Sequence, residues 1–339
     1  MTTIQQVLFE LEAPYYGYPY HVTGNALFSG LRRRLNNRAQ RAVHVSNGVF
    51  VPGEYGSFPA EQSQSGGVPY MGTGLQDVEA YEDLFLFRDA AHRWLLDSRP
   101  RDAHNTPDVQ SHGGRLTFAS STRFGRPPEA RNSKRTMQWY VQCYLHAHGS
   151  DEDVIPVSED VLDGLRVGGG RNYGLGEVSL KETQVVDLDA LDYSRVRGAD
   201  SVQLELLSPY VLQSEYPGAD SQSIPWWWEF DGRLRRRVAR IVAGDKVHEV
   251  ATIDHGQIVE YTGDRPVETA KNGVLRVGTH AKIGFGEFRL RPTASDRVPG
   301  RTTSEASETG PPADEGQPVS RGREADHARG RDADRGGGR

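Results

Sequence analysis

Cysteine is nearly absent from this chain of 339 residues: Cys143 stands alone, which rules out an internal disulfide. No Cys/His group has zinc-like spacing. His146 and His148 share one strand face without a third ligand at metal spacing, so neither a metal nor a cofactor is expected. Long apolar runs are lacking as well. None approaches the roughly 18 to 20 residues that cross a bilayer, and the opening MTTIQQVLFELEAPYY has no basic segment followed by an apolar core. No membrane partner is expected, and the default location is the cytoplasm. An excess of positive charge is missing too, since the formal net charge is −6. That sum hides the distribution. Arg32, Arg33, Arg34, Arg38 and Arg41 form one cluster, Arg115, Arg123, Arg126, Arg131, Lys134 and Arg135 a second, and Arg233, Arg235, Arg236, Arg237 and Arg240 a third. Local patches, not net charge, govern binding to polyanions.

What the chain does have is a glycine-rich signature that occurs twice. Gly168 to Leu180 reads GGGRNYGLGEVSL and Gly278 to Leu290 reads GTHAKIGFGEFRL. At one fixed offset Gly168, Gly174, Gly176, Glu177 and Leu180 match Gly278, Gly284, Gly286, Glu287 and Leu290. A second match places Glu10 to Tyr15 (ELEAPY) against Glu205 to Tyr210 (ELLSPY). Each half opens with an apolar strand ending in Pro-Tyr and closes with a glycine loop feeding another strand, the pattern of a duplicated domain.

The hydrophobic patterning divides the first half into a strand over residues 4 to 13, a helix capped by Thr23 or Asn25 and running through about Arg41, and a short hairpin over 42 to 51. An irregular insertion from about Gly53 to Pro128 follows, with a short helix in the apolar block Tyr81 to Leu96. A buried strand over 136 to 147, a helix from Ser158 to Arg166 and a strand over 175 to 183 complete the half. Strand, helix, strand, strand, helix, strand is the order of a ferredoxin-like βαββαβ unit. The second half predicts strands over 202 to 208, 247 to 252, 256 to 261, 273 to 279 and 285 to 291, one helix over 231 to 242, and no second helix between Thr262 and Gly273. The fold class is therefore α+β: two tandem ferredoxin-like (RRM-like) domains, the second degenerate, with a long insertion in the first. The domains fall at 1–190 and 200–292, and 293–339 has too few large apolar residues to fold and is expected to be disordered.

Glycines let a loop adopt positive φ and present successive amides as a concave donor array suited to phosphate oxygens. A dinucleotide-binding fingerprint fits poorly because a strand, not a helix, follows the glycines, and a P-loop is excluded because no Gly-Lys-Ser/Thr occurs. The alternative is a tight turn without a ligand.

The two glycine segments, the duplicated ferredoxin-like order and the early HVTGNALFSGLRRRL helix together resemble the repeat-associated RNA-binding (RAMP) proteins of CRISPR systems over about residues 4 to 292. The two-loop layout is most similar to the subunit that holds the guide 5′ end in type III effector complexes. The resemblance implies a non-catalytic subunit of a CRISPR interference complex, with CRISPR RNA and other CRISPR-associated subunits as partners. Carried onto this sequence, it implies RNA contacts from Gly168, Gly169, Gly170, Arg171, Asn172, Tyr173, Gly174 and Gly176 in the first loop. Gly278, His280, Lys282, Gly284 and Gly286 are their counterparts in the second, with Arg32, Arg33, Arg123 and Arg126 as further cations. Arginines and stacking aromatics are the groups that grip single-stranded RNA. Some RAMP relatives are metal-independent endoribonucleases that use a histidine near the first helix. His44, with Tyr55 and His21 nearby in sequence, would be that residue here, although it also alternates with Val43 and Val45 as an ordinary strand residue does. A third reading makes the chain a structural assembly protein. Trp226, Trp227 and Trp228 cannot all be buried on one strand face, so at least one is expected at a partner surface.

Overall fold

The computed structural model describes residues 2–18, 21–53, 74–75, 77–88, 117–118, 121–124, 135–148, 153–276 and 278–293. The first half holds β1 (Thr3–Leu11), α1 (Gly24–Leu31), α2 (Asn37–Ala42), β2 (Gly48–Pro52), β3 (Arg135–His146), α3 (Glu159–Leu162) and β4 (Glu177–Asp187). β1 pairs antiparallel with both β4 and β3, and β2 pairs with β3, so the order is β4-β1-β3-β2. The second half holds β5 (Val202–Leu206), β6 (Tyr210–Ser214), β7 (Trp228–Glu229), β8 (Arg236–Ala243), β9 (Lys246–Ile253), β10 (Ile258–Tyr261), α4 (Pro266–Leu275) and β11 (Phe288–Pro292). Its main sheet runs β11-β5-β10-β7, the same order 4-1-3-2. Both halves are thus ferredoxin-like in strand order, and the chain is α+β. In the second half, β6 stands between strands one and two in place of a helix. It joins the β8–β9 hairpin in a separate three-stranded sheet.

Several local expectations are corrected. The helix expected through Arg41 is two helices, because Asn36 starts its own: its Oδ1 accepts the Ala39 N–H at 2.8 Å, as Thr23 Oγ1 accepts from Ala26 at 3.3 Å. Residues 42–51 do not form a hairpin. His44–Val45 and β2 both pair with β3, with Ser46 between them accepting the Tyr144 N–H on its hydroxyl. The helix expected over 231–242 is replaced by strand β8, which pairs with β9 across a Gly244-Asp245 turn, a two-residue hairpin signal. A helix does occupy the stretch after Thr262: α4 begins on Pro266 at its first turn and buries Ala270 and Val274 one turn apart. Its last residues take the place of the strand expected over 273–279. The helix expected from Ser158 to Arg166 shortens to α3, after which Leu165–Arg166 pairs with β4. Of the expected insertion, residues 54–73, 76, 89–116, 119–120 and 125–128 lie outside the described residues, as do residues 294–339 of the expected disordered tail.

Two main apolar cores result, with smaller clusters beside them. One packs Leu27 and Leu31 of α1 on Val141 and Cys143 of β3. The other gathers Leu204, Leu206, Val259, Val274, Phe288 and Leu290 from the second half. The block at Tyr81 enters the second core rather than forming an outlying helix: Tyr81–Phe85 is one tight helical stretch, and Tyr81, Leu84 and Phe85 are all buried there. The Tyr81 hydroxyl accepts the Leu290 N–H at 3.1 Å, and its ring stacks on Tyr193 at 5.1 Å. Replacing Tyr81 by Phe leaves that buried N–H unpaired. It should lower the unfolding free energy by about 1–3 kcal/mol in urea titrations; an unchanged midpoint would contradict the role given to the hydroxyl.

Candidate nucleic-acid interface

The first glycine loop hangs between Leu165–Arg166 and β4. Gly170 (φ 67°) and Gly174 (φ 81°) bracket a single helical turn, Arg171–Tyr173, closed by Tyr173 N–H to the Gly170 carbonyl at 2.8 Å. Gly176 then donates to the Pro14 carbonyl at 2.9 Å, which explains why each half pairs a Pro-Tyr strand end with a glycine loop. A side chain on Gly176 would sit on the Val167 carbonyl, whereas a Cβ on Gly174 meets nothing within 4 Å. Gly168 and Gly169 lie against Tyr15 and Tyr16, with Gly169 donating to the Tyr16 carbonyl at 2.7 Å. The crest of the loop is Asn172, Tyr173 and Gly174, all exposed; Tyr173 is 77% accessible.

The second loop repeats this backbone. His280 (φ 64°) and Gly284 (φ 94°) bracket the turn Ala281–Ile283, Ile283 donates to the His280 carbonyl at 3.0 Å, and Gly286 donates to the Pro209 carbonyl at 3.0 Å. His280 takes the left-handed position that Gly170 fills in the first loop, and its Nε2 lies 2.7 Å from Ser214 Oγ. The surroundings differ completely. Loop two is seated on the start of α1: a Cβ on Gly284 would lie 2.6 Å from Asn47 Oδ1 and 3.0 Å from the Gly24 Cα, and Gly24 has no room for a Cβ beneath the Ile283 carbonyl. Asn47 Oδ1 accepts the Gly24 N–H at 2.7 Å. Lys282 donates to the Gln40 and Arg41 carbonyls at 2.6 and 2.7 Å, neutralising the carbonyl end of α2, and lies 5.0 Å over the Phe28 ring. Gly278 abuts Gln222. One loop is open; its copy is a brace within the molecule.

The arginine run at the end of α1 lies between them. Arg34 donates to the carbonyls of Asp163 and, at 2.7 Å, Gly164, while Arg38 pairs with Asp153 at 2.6 Å. Arg33 neighbours Arg171: partial burial first, then the Arg33 charge, lowers the Arg171 pKa. Arg32 neighbours Lys282, whose pKa is likewise lowered by burial and then by that charge. Like charges that act on one another in this way favour an anion in their vicinity. Arg123 lies on a short strand paired with β3 opposite Thr136, and Arg126 lies outside the described residues. Of the three consecutive tryptophans, Trp228 is buried on β7, Trp227 packs on Tyr261 and Phe288, and Trp226 stands out, 80% accessible.

Pairing of β3 with His44–Val45 creates a cluster that sequence spacing hid. His44, His146 and His148 have ring centroids 4.7–4.8 Å apart in every pair, supplying the third imidazole not seen in the sequence. His44 Nδ1 is buried without a hydrogen bond. The fully buried Arg276 places Nη2 2.8 Å from His146 Nδ1. A guanidinium only donates, so that nitrogen accepts and the neutral ring carries its proton on Nε2, 3.1 Å from His148 Nε2. A metal ligated through Nε2 would need that proton gone, and a ligating histidine normally donates its other N–H rather than receiving one. The trio as built holds a proton. Tyr55, the other residue expected near His44, lies outside the described residues. His21 sits apart, beside Tyr18 at 4.5 Å and His255 at 5.9 Å.

Burial pushes His44 and His21 down to about 3, and it pushes His146 well below the ordinary histidine value, with neighbouring positive groups adding to each shift. These histidines fold neutral, so the unfolded chain binds more protons in acid. Stability is complete above about pH 6.5 and falls as the pH drops from there toward about 3. Urea unfolding between pH 7.5 and 4.5 should show that loss, and His146→Gln should flatten it by about 1.4 kcal/mol per pH unit, one proton's share. A slope unchanged by the substitution would contradict a neutral buried His146.

No protein-family model matches the chain, and no curated protein matches it. Among solved structures, one titled CRISPR associated protein Cas6 is similar at 10% identity and a TM-score of 0.34, covering 85% of this chain and 98% of that one.

Proposed function

We propose that this chain binds single-stranded RNA at its first glycine loop, as a non-catalytic subunit of a CRISPR-associated effector complex in the cytoplasm. In this reading the two ferredoxin-like halves, residues 1–190 and 200–292, are the domains of one RNA-holding subunit. The observation that carries it is the exposed crest of loop one: the Tyr173 ring is 77% accessible in the same turn as Arg171, and the charge of Arg33 acts on Arg171. An anionic backbone under two arginines with a base on Tyr173 satisfies all three groups at once. CRISPR RNA as the particular ligand follows from the resemblance of the two glycine segments to RAMP proteins. Trp226 is the anchor for a neighbouring subunit, as exposed tryptophans are at interface centres. Among the described residues no helix is long and apolar enough to cross a membrane.

The histidine cluster favours a second reading, a metal-independent endoribonuclease in which His44 draws the proton from a ribose 2′-hydroxyl. The pKa of about 3 speaks against it: a base that weak accepts almost no proton at neutral pH, and efficient general bases titrate near the working pH.

Anisotropy titrations with labelled single-stranded RNA test the first reading. Tyr173→Ala should cost about 1–3 kcal/mol of binding, the worth of one stacked base. Arg171→Gln should flatten the log–log salt dependence by about 0.7. Enlarging the loop glycines is a poorer test, since Gly176 has no room for a side chain and Gly174, with space around it, holds φ 81°, where a side chain is strained. Equal binding by wild type and Tyr173→Ala would remove loop one as the seat. Cleavage of a repeat RNA in EDTA by wild type and not by His44→Ala would establish the nuclease instead.

A further inference from the structure

The arginines around the first loop divide by what holds them. Arg34, Arg38 and Arg166 are committed, to backbone carbonyls, to Asp153 and, at 3.0 Å, to Glu177. Arg32, Arg33, Arg41 and Arg171 make no ion pair with any described residue. Two of these four, Arg32 and Arg41, line a cleft of about 360 Å³ between α1 and α2, together with Phe28, Asn37, Gln40 and Lys282. The lining holds three cations and two side-chain amides, and not one carboxylate. Lys282 spends hydrogen bonds on Gln40 and Arg41 but keeps its charge, so the cleft remains strongly positive. Nor is it isolated from loop one. Arg32 and Arg33 are consecutive at the end of α1; the first lines the cleft together with Lys282, and the charge of the second reaches Arg171.

We propose that the α1–α2 cleft is a second phosphate seat, occupied by a phosphodiester of the same RNA strand that loop one holds. This rests on the RNA-binding reading above and extends it: the strand runs from Tyr173 and Arg171 over Arg33 to Arg32 and Arg41. Exposed arginines that lack carboxylate partners are the groups that release counterions when a phosphate arrives. An RNA strand is favoured over an acidic polypeptide because the track begins at an exposed aromatic ring, Tyr173, which suits a base.

The test uses the full chain and fluorescent oligouridylates of rising length, about 4 to 16 nucleotides, titrated over a range of salt. Arg32→Gln/Arg41→Gln should leave the shortest binding member unaffected and flatten the salt slope of the longest by about 1.4, twice the single-strand value per contact. Arg171→Gln should lower the slope at every length. Both arginines of the cleft are exposed, so thermal melting of the double variant should match wild type. If the double variant changes nothing at any length while Arg171→Gln does, the cleft is not a seat and the RNA reading stands. If it weakens all lengths alike, the arginines act only through a general field, and the proposal fails. Polyglutamate competing as well as an oligouridylate of equal charge overturns the strand assignment in favour of an acidic protein. Absence of RNA binding by wild type removes the proposal together with the reading it rests on.

Discussion

Two backbones meet without side chains between them where loop two rests on the start of α1, and most of the arrangement depends on that contact. Gly24 and Gly284 approach so closely that neither tolerates a Cβ, and Asn47 ties Gly24 down through its amide oxygen. A helix–loop contact of this kind fixes distance more tightly than packed side chains, which can change rotamer. Lys282 is thereby delivered to the carbonyl end of α2. The residue that closes α4, Arg276, is held beneath His146, where Glu287, itself paired with Arg88 at 2.6 Å, supplies the compensating negative charge. The orientation of α1 follows, and with it the placement of its arginine run between the two loops.

Duplication gave this chain two copies of one loop and spent them differently. The shared backbone, down to the hydrogen bond from the last glycine to a proline carbonyl, shows that the loop is first of all a way to close a ferredoxin-like unit. What a copy does beyond that depends on its neighbours. Ile283 and Phe285 join the small core of Val211, Ile241 and Val250, whereas Tyr173 at the place of Ile283 faces solvent. The resemblance between the loops in sequence would assign both the same ligand, and their surroundings separate them.

The repeat itself was legible because glycines at positive φ and prolines at strand ends are rare enough for a matched spacing to stand out. Strand order was legible in the first half for the same reason that periodic apolar segments are. The second half misled at two places, each for a physical reason. Arg236–Ala243 carries charge at a density that reads as a solvated helix, yet it is held residue by residue against a partner strand that only tertiary pairing supplies, with Ile241 buried. α4 is short and polar because one narrow face suffices to cover β11 and its neighbours. The histidine cluster was invisible for another reason: His44 and His146 are 102 positions apart and meet only through cross-strand register, directly opposite each other. Lys282 looked like a free cation because nothing in the sequence near it announces the carbonyls of α2.

The burial of Tyr81 has a consequence for how the chain reaches its native state. Its hydroxyl pairs with a backbone amide 209 positions later, and Leu84 and Phe85 enter the same core. During synthesis the ribosome releases this apolar segment long before β11 exists to receive it. The first half therefore emerges with an uncovered hydrophobic face, and the second core closes only when the last strand arrives. Contacts of such sequence separation slow folding and leave collapsed species open to association. Severing the chain between its two pseudo-equivalent halves would accordingly yield one fragment with a sticky surface and another with an unfinished core, so the duplication has become a single cooperative body.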